Sequence, residues 1–430
     1  MNDDLNTLTS SLQLIDNDAP RRARLNQYAS GCQPLAFLAP EARVAIGNRF
    51  ALVNSNVCRV AVNALVERLR ITGFAGAEAV QLWADWRRCD LDQSSPIAHR
   101  EALILGEAFV LVWGVGNTPV VSLESPDQMA VRRDVATGQV TAAVKRIEHR
   151  DHTEALLYLP DRIVRFTSRS IGAVQHGFEA VETIPNPLGV VPVVPLQNRE
   201  RLLGAPTSEL DDLLPLVDAQ SKLLADLLVA SEYSGRPRRW ATGIELEERD
   251  VLDEQGNPTG ETVEVNPYPD SNRMMVSEST EAAFGQLPAA DLAAYEAGIR
   301  VVQAQISAVS GLPPHYLGVH GDQPASADAL RAAEASLVAK VEARQATFGR
   351  AWEAVARLMV AVRTGRAPQT VDVTVQWADA ATRSIAQEAD AVVKLFAAGL
   401  IPQTYALQRL GYSDDDIRTI TATPTAIPAV

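Results

Sequence analysis

The sequence predicts an α+β fold that is mainly helical, and three features of the chain predict it. A helical run of about 38 residues follows Ser326 and ends at Gly365. A block of short β-branched runs, between residues 108 and 166, alternates with turn sequences. Segments with apolar residues three or four apart stand on both sides of that block. With 430 residues, of which 47% are hydrophobic and 21% charged, the chain can bury a large core.

The composition excludes several classes of protein. The net charge of −14 is the wrong sign for a protein that grips nucleic acid through its phosphates. Three widely spaced cysteines match no metal or redox pattern and fit a reducing cytoplasm. The N-terminus is acidic where a signal peptide is basic, and no apolar run approaches the roughly 20 residues that span a bilayer. We expect an acidic, soluble protein that is made inside the cell and contacts no membrane.

The first half of the chain begins with helices and continues as β structure. Residues 5–28 predict a helix broken near Pro20, residues 48–70 predict a second that ends near Gly73, and Trp83 and Trp86 lie on a third. Short runs predict strands at 108–113, 118–122, 129–134, 140–147, 155–159 and 163–166. Four prolines then indicate an extended connector: Pro185, Pro187, Pro192 and Pro195.

The middle of the chain predicts two helices that flank a small β excursion. Thr207 or Ser208 caps the first helix, and Pro215 should kink it or mark a late start. Residues 240–280 alternate like exposed strands, and the second helix runs from about 288 to 310. This order predicts a protrusion on a two-helix stalk. The first helix has an acidic face: Glu209, Asp211, Asp212, Asp218 and Asp226.

A segment rich in glycine and proline, residues 311–324, leads directly into the long helix. Proline fixes φ and removes a donor, so this segment cannot be α-helical. The apolar stripe of the long helix is most simply core, but a stiff loop at its start also indicates a segment held out to a partner. The loop residues singled out are Gly311, Pro313, Pro314, His315, Tyr316, Gly318, His320, Gly321 and Asp322.

The C-terminal part predicts a strand at 371–377 that adds to the earlier sheet, followed by short helices at 384–398, 402–410 and 414–420. Asp414–Asp416 could bind Mg²⁺, but an acidic first helical turn capped by Ser413 explains them more simply.

Motifs for catalysis or cofactor binding are missing. The sequence has no phosphate loop, dinucleotide fingerprint, nucleophile elbow or zinc-protease motif. His149 and His152 lie three apart in a predicted strand and turn, where a solvated turn is favoured over a metal pair. We therefore expect no enzyme, no metal and no cofactor. A basic cluster, Arg236, Arg238 and Arg239, could contact phosphate, although pairing with a helix end or an acidic subunit is favoured.

Six pieces of the chain, taken in order, carry a resemblance to a known family. They are residues 28–35, 63–69 with Gly73 and Phe74, 284–288, 305–318, 324–331 and 398–402. Together they resemble the portal proteins of tailed double-stranded DNA bacteriophages of the siphophage type. The resemblance covers about residues 28 to 420, and the order of the pieces is more specific than any one of them.

The resemblance implies a portal fold of wing, stem, clip and crown, assembled into a dodecameric ring with a central channel. Residues 1–206 would form the wing, 207–232 and 285–310 the two stem helices, and 233–284 the clip. Residues 311–324 would form the tunnel loop, 325–380 the long wing helix with its returning strand, and 381–430 a short crown and tail.

The function that the resemblance implies is a non-enzymatic channel for genome packaging and ejection at one capsid vertex of the virion, made in the host bacterial cytoplasm. The implied partners are other copies of the chain, double-stranded DNA, the terminase large subunit, head-tail adaptor or head-completion proteins, the major capsid protein and scaffold. Since each phosphate bound by Lys or Arg would slow the DNA, the acidic helix face is the candidate channel wall, and the basic cluster would lie where stem and clip meet. Two alternatives stay open: another ring-forming connector, and a hydrolase with a carboxylate site that the sequence does not locate.

Overall fold

The chain divides into two compact units. The first contains Met1–Asn26, Arg59–Asp211 and Ser310–Val430, and the second contains Gln27–Cys58 and Asp212–Val309. The computed structural model describes residues 2–34, 55–199, 201, 204–235, 239–243, 247–252, 258–265, 280–286, 291–318, 326–381, 385–412 and 414–422.

Ten helices and fourteen strands are found among these residues. The helices are α1 Asn2–Ser30, α2 Val57–Val66, α3 Ala79–Arg88, α4 Leu91–Leu105, α5 Leu214–Gly235, α6 Ala293–Ser310, α7 Ala327–Thr364, α8 Ile385–Ala397, α9 Gln403–Arg409 and α10 Asp414–Ala422. The strands are β1 Ile71–Ala75, β2 Glu107–Val115, β3 Thr118–Glu124, β4 Met129–Arg133, β5 Val140–Glu148, β6 Thr153–Tyr158, β7 Arg162–Ser168, β8 Glu179–Pro185, β9 Val193–Gln197, β10 Arg239–Thr242, β11 Glu247–Leu252, β12 Pro258–Val265, β13 Ala283–Gln286 and β14 Thr374–Trp377.

The first unit has three antiparallel sheets, with strand orders β4-β5-β6-β7-β8, β3-β2-β9 and β1-β14. Strands β4 to β7 of the five-stranded sheet have buried residues on both faces, whereas the edge strand β8 is exposed along its length. Leu8, Leu12 and Ile15 of α1 pack with one face, while Phe109 and Val193, from β2 and β9, pack with the other. The second unit contains α5 and α6 with two antiparallel strand pairs, β10-β13 and β11-β12.

Helix α7 is the longest described element, with 38 residues. The predicted boundaries are confirmed: the Ser326 hydroxyl accepts the Ala329 N–H at 3.2 Å, and Gly365 ends the helix with φ 71°. Its apolar stripe packs against β2, β3, β9 and β14, as well as α3. Trp352 and Phe348 are fully buried. Trp352 lies edge-on to Trp86 at 5.0 Å between ring centroids, and its indole N–H donates to His99 Nε2 at 2.8 Å.

Three predictions about the elements are wrong. Helix α1 is continuous through Pro20, because the buried residues on both sides of the proline outweigh its cost of roughly 3 kcal/mol. Residues 71–75 form β1 rather than a helix end. The strand near 371–377 does not join the earlier sheet; β14 pairs with β1, with Phe74 opposite Val375.

Two strands, β8 and β9, lie where the prolines had indicated a connector. Both are edge strands, and Pro185 and Pro195 occupy positions opposite Arg162 and Phe109. A proline is tolerated on an edge strand because its missing N–H can face away from the ladder. Pro185 and Pro195 therefore lie on edge strands of sheets and not in an extended connector.

The buried His99 predicts a pH dependence of stability. Burial lowers the pKa of its imidazole from 6.5 to about 3. Below about pH 6.5 the unfolded chain binds a proton that the folded chain takes up only near pH 3. The free energy of unfolding should therefore decrease as the pH is lowered from 6.5 towards 3. The expected loss is roughly 3 kcal/mol at pH 4 from this group alone.

Thermal unfolding between pH 7 and 4 measures this effect. His99→Gln keeps an acceptor for Trp352 but has no titrating group, so the variant should lose less stability on acidification than the wild type. His176→Gln, at an exposed position, is the matched control and should keep the wild-type slope. Equal slopes for wild type and His99→Gln would contradict this account.

Candidate functional site: the loop before the long helix and the acidic residues

The first part of the predicted loop is folded. Gly311 has φ +73°, and a Cβ there would lie 2.9 Å from the Ser336 hydroxyl oxygen, so this close approach requires glycine. Leu312 is buried, with 3% of its surface exposed. A short 3-10 helix, Pro314–Leu317, follows and ends at Gly318 with φ 74°. Residues 311–318 therefore form a compact turn and, as predicted, no α-helix.

Three charged side chains hold this turn. The Arg68 guanidinium donates to the Tyr316 hydroxyl at 3.0 Å and lies 3.3 Å from the Glu334 carboxylate. The Lys340 ammonium donates to the Ser310 carbonyl at 2.9 Å. Glu334 and Lys340 belong to α7, so the long helix and the turn form one structure.

The described part of the loop ends at Gly318. From Gly311 to Gly318 the loop is packed on the protein, because Leu312 and Pro313 are buried and Tyr316 is bonded to Arg68. The other residues singled out, His320, Gly321 and Asp322, lie outside the described residues.

The five acidic residues do not share one helix face, so the predicted common face is wrong, while a channel wall stays a prediction. Helix α5 begins at Leu214, the late start that Pro215 allowed, so the first three residues precede it. The Glu209 side chain is only 8% exposed and forms an ion pair with Arg344, whose Nε lies 2.8 Å from Oε1. Asn198 donates to the same oxygen at 3.1 Å. Glu209 is therefore a structural carboxylate.

The other four carboxylates differ from one another in exposure and partners. Asp211 accepts from Arg21 at 2.8 Å and from the Ser208 backbone N–H at 2.9 Å. Asp218, on α5, accepts from the Tyr28 hydroxyl at 2.6 Å, and Asp226 pairs with Lys222. Asp212 is exposed. Of the predicted wall, Asp212, Asp218 and Asp226 belong to the second unit, while Glu209 and Asp211 belong to the first.

Of the basic cluster, only Arg239 is among the described residues. Arg239 begins β10, where it pairs with Gln286 of β13. Arg236 and Arg238 lie outside the described residues. Phosphate contact by this cluster stays a prediction.

A groove of about 790 Å³ in the first unit bears on the hydrolase alternative. A carboxylate hydrolase needs two acidic groups that converge on one cavity. Asp372 is the one carboxylate-bearing residue among those that line this groove, and four arginines line it as well: Arg133, Arg199, Arg350 and Arg357. The groove therefore has the wrong composition for that chemistry.

An exposed apolar surface near the C-terminus was missed by the sequence analysis. It comprises seven side chains from α8 to just after α9, between 37% and 71% exposed: Val393, Leu395, Phe396, Leu400, Tyr405, Leu410 and Tyr412. We call it the C-terminal apolar surface. The signal was present in the sequence, because Val392, Val393, Leu395 and Phe396 stand within five positions of the short helix α8.

Comparison with known proteins identifies the family. A family model described as phage portal protein, SPP1 Gp6-like, matches residues 63–422. The chain belongs to the phage portal protein family. It is 32% identical over 378 residues to the portal protein of Mycobacterium phage L5, covering 83% of this chain and 75% of that relative. The portal protein of Mycobacterium phage D29 is also 32% identical, over 380 residues, with the same coverage.

One solved structure shares the fold of this chain. The neck of an empty gene transfer agent particle contains a chain that is 13% identical to this one, with a TM-score of 0.51. The match covers 91% of this portal-family chain and 98% of that chain. Among the described helices, none combines the length and apolar composition needed to cross a membrane.

The buried ion pair yields a test of the corrected role of Glu209. Glu209→Ala leaves Arg344 nearly buried without its carboxylate, which should lower the free energy of unfolding by about 3–5 kcal/mol. Asp212→Ala, three residues along at an exposed position, should change it by less than about 0.5 kcal/mol. Chemical denaturation of both variants measures the difference. Equal stability of the two would show that Glu209 is not structural.

The contacts of Arg68 yield a second test, of the folded turn. Arg68→Ala removes the donor to Tyr316 and leaves Glu334, 13% exposed, without this cation, at a cost of about 1–3 kcal/mol. Hydrogen exchange of the backbone amides in residues 312–318 should become faster. Arg70→Ala, at an exposed position, is the control and should leave exchange unchanged. Unchanged exchange in Arg68→Ala would mean that the turn does not depend on this side chain.

Proposed function

We propose that this protein is the ring-forming portal of a tailed phage, a channel at one capsid vertex through which double-stranded DNA is packaged and ejected. Membership of the phage portal protein family supports the proposal. The function needs several copies of the chain around an opening. The observation that best supports such an assembly is the C-terminal apolar surface.

The C-terminal apolar surface is unusual for a single chain. Within this region Val392 and Ala406 are buried, at 4% and 6% exposure, while the seven apolar side chains of the surface face outwards. Contiguous exposed apolar side chains mark interfaces between protein chains. In a ring each copy meets two neighbours through the same contact, so this surface would be buried by the neighbouring copy. We expect a dodecamer.

The parts of the chain suit different roles in such a ring. The second unit, with the helices α5 and α6 and two small sheets, fits stem and clip, and residues 233–284 would bind the terminase large subunit and later the head-tail adaptor or head-completion protein. The turn at 311–318, with the residues up to 324, would form the tunnel loop. The five-stranded sheet and α7 fit the wing, which would face the capsid and scaffold proteins. Synthesis in the host cytoplasm and incorporation into the virion follow from this role.

The charge of the chain agrees with a channel for DNA. A wall that bound phosphates through Lys and Arg would hold the DNA by counterion release, whereas a net charge of −14 per copy opposes such binding. The carboxylates proposed for the wall are now Asp212, Asp218 and Asp226. Energy for packaging would come from a separate ATPase, since the sequence has no phosphate loop.

Native mass spectrometry of the wild type and of Phe396→Asp/Leu400→Asp tests the proposal. The wild type should form closed rings of about a dozen copies, and the variant should fall apart into monomers because two charges enter the buried interface. Val135→Asp, a fully exposed apolar position in the β4–β5 turn, is the control and should leave rings intact. A wild type that stays monomeric with capsid and scaffold proteins present would contradict the ring. Intact rings of the double variant would instead contradict the role of the apolar surface.

A further inference from the structure

The turn between β5 and β6 brings together three residues that can bind a metal. Strand β5 ends at Glu148 and β6 begins at Thr153, and the His149 backbone N–H donates to the His152 carbonyl at 2.9 Å. The two imidazoles stack with 4.3 Å between ring centroids and an interplanar angle of 11°. The sequence favoured a solvated turn here, but it did not show which third residue lies beside the pair.

That third residue is Glu154 of β6. Its Oε2 atom lies 3.4 Å from His149 Nε2. Four tetrahedral ligands at about 2.0–2.1 Å from a zinc ion are roughly 3.3 Å from one another. One ligand atom from each of His149, His152 and Glu154 lies within 4.8 Å of the others. Side-chain rotations that unstack the two imidazoles would direct these three atoms to three corners of a tetrahedron.

Asp151 orients one of the two histidines. Its Oδ1 atom lies 2.7 Å from His152 Nδ1. With the Nδ1 proton directed to Asp151, the lone pair of His152 is on Nε2. A carboxylate that fixes the other ring nitrogen in this way is the usual support of a metal-binding histidine.

The positive charge next to Glu154 does not block the site. Arg165 approaches the other oxygen, Oε1, at 4.0 Å, and it is also paired with Glu182 at 3.0 Å. Oε2 therefore stays directed towards His149.

We propose that His149, His152 and Glu154 bind one zinc ion per chain, with water in the fourth position. Two imidazoles and one carboxylate suit Zn²⁺, Ni²⁺ or Cu²⁺, whereas Mg²⁺ prefers oxygen ligands alone. The ion would join the two strands of the hairpin at its tip and stabilise the edge of the turn. With each histidine side chain 38–40% exposed, binding is expected at micromolar rather than nanomolar concentrations. The site is independent of the portal function.

Isothermal titration of the untagged full-length chain, first stripped with a chelator, tests the proposal with ZnCl₂ as the probe and MgCl₂ as the control metal. We expect one zinc ion per chain at pH 7.5, no heat with magnesium, and a loss of affinity of more than tenfold at pH 5.5, where protons compete with zinc for the imidazole nitrogens. His149→Asn and Glu154→Gln should each weaken zinc binding at least tenfold.

His176→Asn is the matched control, because His176 is an exposed histidine outside the cluster, and it should bind zinc like the wild type. Circular dichroism of all variants checks that each is folded. Absence of zinc binding to the wild type, or equal affinity of wild type and His149→Asn, would overturn the proposal. A ring that forms normally without zinc would leave the portal function unaffected.

Discussion

The burial of one face of α7 is the constraint on which the rest of the first unit depends. Along its 38 residues the helix packs against strands from two sheets, and Trp352 and Phe348 are fully enclosed. The indole N–H of Trp352 would be costly to bury without an acceptor, and the neutral His99 supplies it. The strands β2, β9 and β14 are thereby fixed relative to one helix, although they come from distant parts of the chain.

Charged side chains then attach irregular segments to the same helix. Arg344 of α7 holds Glu209 in the segment before α5, and Lys340 bonds to the Ser310 carbonyl. Glu334 contacts Arg68, which in turn bonds to Tyr316. The turn that would belong to the tunnel loop is thus built on the helix by two sets of polar contacts. Because of these contacts, α7 fixes the position of the turn up to Gly318.

The features of the fold that could be predicted from the sequence are those that depend on neighbouring residues in the chain. The ends of α7 follow from Ser326 and Gly365, whose capping roles depend only on neighbouring residues. Partner choice is not local: β14 pairs with β1, some 300 residues away in sequence, and no pattern in either strand specifies the other. The wrong assignment of Glu209 to an acidic helix face has the same cause. Its acidic neighbours in sequence indicated that face, whereas its ion-pair partner Arg344 lies 135 residues away. The His149–His152 spacing was visible, but the side-chain position of Glu154 was not.

We propose that this portal-family chain buries its C-terminal apolar surface against another copy of the chain. An electron-microscopy reconstruction of the purified protein tests this most directly. The account predicts a closed ring with an axial opening, the C-terminal apolar surface buried between neighbours, and the 311–318 turn on the side of α7 that faces the opening. A ring in which Phe396 and Leu400 face solvent and the turn lies on the outer rim would contradict it.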